Sequence, residues 1–117
     1  MNALSDADAV RLYPELADLI SLRDAGWRFL PVTGDGGSLN ELDGFRAWPG
    51  GWVDGVRIYS PTNALGIRTA PTDPPALTWE QTGAVAQVVA ELLTLPEPGD
   101  RTAPRLVVAS APTFWTP

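Results

Sequence analysis

Arg46-Ala47-Trp48-Pro49-Gly50-Gly51-Trp52-Val53-Asp54 decides the fold, because it reads as the tip of a long β-hairpin. Pro49 and Gly50 suit the central positions of a type I turn. Gly51 suits the left-handed residue after it, which makes a three-residue loop with a G1 bulge. With Trp48 facing Trp52, counting outward pairs Arg46 with Asp54, Phe45 with Gly55, Asp43 with Arg57 and Leu42 with Ile58. This register supplies two ion pairs, an aromatic ring over a strand glycine and an aromatic pair beside the turn, each contributing about 0.2–1 kcal/mol. A slip of one residue sets Asp54 against Ala47 and Gly44 against Arg57 and loses both charge matches.

A chain of 117 residues is long enough to bury one core without disulfides or a metal. We expect a single domain over residues 1–109 and a proline-containing tail over 110–117. Cysteine and histidine are absent, which removes the usual zinc, iron–sulfur, haem and thiol chemistries; no cofactor and no metal are expected. Every basic residue is arginine. A GC-rich genome favours this together with the many Ala, Gly and Pro residues, and selection for bidentate guanidinium contacts is the functional alternative. The net charge of −6 repels nucleic-acid phosphates and anionic lipid, so neither nucleic acid nor membrane is an expected partner. With no signal-like start and no apolar run of spanning length, the expected location is the cytoplasm.

Along the chain, Ser5 suits a helix cap with Asp6 and Asp8 in the first turn. Pro14 splits this stretch and predicts a leading turn, then a helix over about residues 14–25 ended by Gly26. Trp27 to Val32 alternates as a strand. Thr33-Gly34-Asp35-Gly36-Gly37-Ser38 follows as a turn; lacking a lysine or a helix after it, it is a poor phosphate loop. Carrying the hairpin register across this turn pairs Val32 with Leu39, Phe29 with Leu42, Trp27 with Gly44 and Arg28 with Asp43. One sheet face then collects Trp27, Phe29, Leu42, Trp48, Trp52, Val56 and Ile58 beneath the helices. The other carries an Arg28, Asp43, Arg57 charge ladder flanked by Leu30, Phe45, Val53 and Tyr59. Ser60-Pro61-Thr62-Asn63 is a turn into a further strand over residues 64–70, and the 11-residue spacing of Arg46, Arg57 and Arg68 is that of a strand plus a turn. Thr78-Trp79-Glu80-Gln81 has the form of a capping box, with residues 76–80 as a short strand the alternative, and a helix runs to about Thr94. Arg105-Leu106-Val107-Val108-Ala109 is an apolar strand at a sheet edge, and Phe114-Trp115 lies in a tail that docks on its own domain or on a partner.

The run Trp27-Arg28-Phe29-Leu30-Pro31, the Trp48-Pro49-Gly50-Gly51-Trp52 turn, Trp79-Glu80 and Ala109-Ser110-Ala111-Pro112 resemble small α+β proteins of high-GC bacteria that have no assigned activity. The resemblance implies a fold and carries over no functional residue. The element order is also loosely similar to acidic secretion chaperones and small immunity proteins.

The sequence therefore predicts an α+β domain: an N-terminal helix, a four-stranded antiparallel meander, a second helix on the same sheet face and a short C-terminal strand. Asp43 and Asp54 each face an arginine, and salt-bridged carboxylates are poor general acids, so the chain reads as noncatalytic. The expected function is protein binding, by an adaptor, chaperone-like or neutralising module, through Arg28, Phe45, Arg57 and Tyr59, with a protein partner or a second copy as the occupant. The alternative is a small-ligand pocket among Trp27, Trp48, Trp52 and Trp79 in which Arg46 or Arg68 meets an anionic group.

Overall fold

The computed structural model describes residues 16–33 and 39–110. Helix α1 covers Leu16–Asp24, followed by β1 (Arg28–Thr33), β2 (Leu39–Ala47), β3 (Val53–Ser60), β4 (Asn63–Ala70), β5 (Ala76–Gly83), helix α2 (Val85–Thr94) and β6 (Ala109–Ser110). The strands form one antiparallel sheet in chain order, so the fold is α+β. No helix among the described residues is long and apolar enough to cross a membrane. The expected leading turn with Ser5, the glycine-rich turn and the Phe114-Trp115 tail lie outside the described residues.

The central hairpin has the register read from its sequence, with Leu42 opposite Ile58, Asp43 opposite Arg57, Phe45 opposite Gly55 and Arg46 opposite Asp54. Its tip differs in turn type. Gly50 and Gly51 both have positive φ, +87° and +91°, and the Gly51 N–H donates to the Trp48 carbonyl at 3.3 Å. A positive φ at the third turn position defines type II, which glycine there permits. Loop length, not turn type, sets the count outward, so the pairing survives.

Strand β1 corrects the expected pairing. Phe29 lies opposite Gly44 and Arg28 opposite Phe45, two residues away from the Trp27–Gly44 and Arg28–Asp43 matches. An even slip keeps every side chain on its face, so the division into two faces holds while the neighbours change. Gly44 explains the choice: a Cβ there would come 2.7 Å from Phe29 Cε1 and 3.0 Å from Val56 Cγ1, so the ring occupies space only glycine leaves open.

The expected four-stranded meander is five strands long. Residues 76–83 form β5, the strand alternative to a helix start there, extended three residues past 80; Thr78, Trp79 and Thr82 fit a pleated, half-buried surface. Helix α2 starts only at Val85, with no side-chain cap on Ala84; the Val85 N–H donates to the Pro61 carbonyl from the β3–β4 turn at 3.0 Å. The expected 105–109 strand shrinks to β6, where Ala109 and Ser110 pair with Leu77 and Ala76, so Ser110 lies in a strand.

Helix α1 closes on Gly26, φ +101°, with Gly26 N–H donating to Arg23 O and Trp27 N–H to Leu22 O. These are the two bonds of a Schellman motif, and its apolar contact is made by Leu22 and Trp27, both buried. Both helices pack on one sheet face. Leu22, Trp27, Val56, Ala64, Val85, Val88, Val89 and Leu92 form the core there, joined by Phe29, Ile58 and Trp79. Gly66 lets α2 sit close, since a Cβ would fall 2.9 Å from Val88 Cγ1.

Candidate functional site

The two candidate sites lie on opposite faces of the sheet. On the helix face, Asp54 stands in register between two arginines, Arg46 on β2 and Arg68 on β4. Sequence reasoning gave it to Arg46, and the structure gives it to Arg68. Arg68 is fully buried and donates Nε to Asp54 Oδ1 at 2.6 Å and Nη2 to Oδ2 at 2.9 Å. Trp48 Nε1 adds a third bond to Oδ2 at 3.0 Å, and Arg68 Nη1 donates to the Pro96 carbonyl after α2. A buried guanidinium without an anion is far costlier than a half-exposed one, which explains why the carboxylate goes to Arg68. Arg46 instead stacks on the Trp48 ring, 3.9 Å from its centroid.

Beside this group lies a cavity of about 230 Å³, lined by Ala25, Trp27, Arg46, Trp48, Asp54, Leu92, Leu93, Leu95 and Glu97. Of the residues expected around a ligand pocket, Trp27, Arg46 and Trp48 come together here. Arg68 is committed to Asp54, while Trp52 and Trp79 do not line the cavity. Trp79 instead lies over Gly66, its Cζ3 3.1 Å from where a Cβ would stand.

On the open face, Arg57 donates Nε to Asp43 Oδ1 at 2.9 Å and Nη2 to Oδ2 at 2.8 Å, the bidentate pair expected from the register. Glu41 Oε2 lies 2.5 Å from Arg57 Nε, but the single Nε–H is aimed at Asp43, so Oε2 is buried without a hydrogen-bond donor. Burial, then the hydrogen bond and charge of Asp43, hold the Glu41 carboxyl above its usual value against the pull of Arg57. Burial pulls the Arg57 guanidinium down, but bonding to Asp43 and the charges of Asp43 and Glu41 outweigh it, so its pKa is raised.

Arg57 is only 4% exposed, held by Asp43 with Glu41 beside it, so it braces the face. Tyr59 and Leu30 are exposed, at 47% and 57%, and Arg28 is exposed beside them. Phe45 is half-buried and borders an apolar cleft of about 170 Å³ with Val53, Gly55, Ile67, Ala70 and Pro71. Reading the sequence missed Glu41, Glu97 and this cleft. Glu41 was open to discovery, since period-two counting on β2 sets it on the Asp43 face. No group of three or more potential metal ligands comes together among the described residues. Comparison with family models, curated proteins and solved structures finds no match to this chain.

Proposed function

We propose that the chain is a noncatalytic protein-binding module that uses the sheet face opposite the helices. The observation that carries this reading is the apolar cleft beside Phe45, on the same sheet face as exposed Leu30 and Tyr59 with the Asp43–Arg57 pair between them. Exposed apolar surface next to a side-chain-sized recess is where a partner's anchor residue gains most by leaving water. Catalysis has little support, because Asp43 and Asp54 are each held in bidentate pairs.

Charge narrows the partner. By register this face carries Glu41, Asp43 and Glu80 against Arg28 and Arg57, on a chain of net charge −6. Two copies therefore repel, and a protein presenting an apolar side chain among basic residues fits better. The test is affinity capture from the source cell with the wild type, Tyr59→Ser and Thr72→Trp, the last placing a bulky ring at the exposed rim of the cleft. Both variants should keep wild-type circular dichroism and melting and lose a basic partner that the wild type retains. Equal recovery by all three would refute the reading, and a doubled mass in light scattering would replace it by self-association.

A further inference from the structure

We propose that the cavity between the C-terminal end of α2 and the Arg46–Trp48 end of the sheet binds a small zwitterion with an apolar body. Its carboxylate meets Arg46, and its ammonium faces Glu97 and the carbonyl end of α2. This site lies on the helix side of the sheet and stands apart from the protein-binding reading.

The starting point is an imbalance: two guanidinium groups flank one carboxylate. Both Asp54 oxygens are occupied, Oδ1 by Arg68 Nε and Oδ2 by Arg68 Nη2 and Trp48 Nε1. Among the described residues, no carboxylate pairs with Arg46. Stacking on Trp48 holds the guanidinium by its flat face and leaves its N–H fork for a planar, two-oxygen acceptor.

The opposite wall has the opposite sign. Helix α2 has no basic residue in its last turn, and the nearby Arg68 is taken up by Asp54 and the Pro96 carbonyl, so the carbonyl end keeps partial negative charge. Leu92, Leu93, Leu95 and the exposed Glu97 bring that end to the cavity. A simple anion would meet this wall unfavourably, and a simple cation would meet Arg46. A molecule with one charge of each sign satisfies both. Ala25, Trp27, Leu92 and Leu93 line the same cavity and favour an apolar body. The volume of about 230 Å³ falls below the roughly 300–1,000 Å³ of pockets for drug-sized ligands, so the ligand is of amino-acid size.

The probes are L-leucine and 6-aminohexanoate, which differ in the distance between their charges, with 4-methylpentanoate and 3-methylbutylamine each lacking one charge. Trp27 and Trp48 line the cavity, so tryptophan emission reports occupancy and calorimetry confirms it. At least one zwitterion should bind saturably, and both one-charge analogues should bind about tenfold or more weakly, the loss of one charge-assisted contact. Arg46→Gln should weaken the zwitterion by a similar factor. Glu97→Gln should weaken it while binding 4-methylpentanoate as well as the wild type does or better. Leu93→Phe, which fills the cavity from an exposed position, should abolish binding with the fold intact. The proposal is overturned if neither zwitterion binds at about 10 mM, a weak-binding limit on the affinity scale. It is equally overturned if Arg46→Gln binds as the wild type does, or if 4-methylpentanoate matches the zwitterion.

Discussion

Replacing Arg68 by methionine tests what the centre of the sheet depends on. Arg68 is completely buried and supplies two of the three hydrogen bonds that Asp54 receives, while Asp54 is itself only 1% exposed. Arg68→Met leaves a buried carboxylate with the Trp48 indole as its single side-chain donor among the described residues and also releases the Pro96 carbonyl. Breaking a buried pair by removing one partner costs about 3–5 kcal/mol. Arg46 stands in register on the other side of Asp54 and can swing onto it, which places the expected loss at about 3 kcal/mol, the lower end of that range. A chain of 117 residues has roughly 6–18 kcal/mol in total at the usual stability per residue, so the variant stays folded but is clearly weakened. Urea unfolding followed by tryptophan emission measures the loss, with an unchanged slope showing that the unfolded state is the same. Asp54→Leu combined with Arg68→Met removes both charges and should recover at least about 1 kcal/mol relative to Arg68→Met alone. A single variant within about 1 kcal/mol of wild type, or a double variant less stable than the single one, would refute this account of the pair.

Two further outcomes follow from the packing and charge already described. Gly66→Ala should cost about 1–3 kcal/mol by overpacking, because the new methyl meets Val88 at 2.9 Å and Trp79 at 3.1 Å, and adding Val88→Ala should cost less than the two single losses summed; thermal melts of the three variants check it. Glu41 binds its proton more tightly in the folded chain than in the unfolded one, so its contribution to stability is lost as pH rises from about 4.5 through the raised folded value and the penalty is full above it; Glu41→Gln should remove that pH dependence and be neutral or stabilising at pH 7, as urea titrations across this range would show.

Much of the fold could be read because local chemistry settled it. A proline and two glycines fixed the length of the β2–β3 loop, and the charges outward from it matched in only one register. Gly26 after a leucine-spaced stretch marked the end of α1. Bulges defeated the rest. Register shifts at Val32/Thr33 and Ile58/Ser60 insert residues that no local signal announces; the first, together with Thr33 in place of Val32 opposite Leu39, moves the partners of β1 by two, and the second sets Arg68 opposite Asp54. Ala76-Leu77-Thr78-Trp79-Glu80-Gln81 carries cap-like and strand-like features together, and tertiary pairing with β4 decided between them. Two-residue periodicity separated the Asp43–Arg57 pair from the face of Trp27, Phe29, Val56 and Ile58. It could not tell which arginine would be buried, nor bring Glu97 from the loop after α2 to Trp27 and Trp48.

The bond from Arg68 to the Pro96 carbonyl ties together parts of the chain 28 positions apart. Peeling the segment after α2 away from the sheet takes from the guanidinium its one acceptor outside Asp54 among the described residues, which couples opening of this segment to the middle of the meander. The backbone amides around Asp54, Arg68 and Leu95 should then exchange their hydrogens with deuterium on one common timescale, as a single cooperative unit that includes the wall of the cavity.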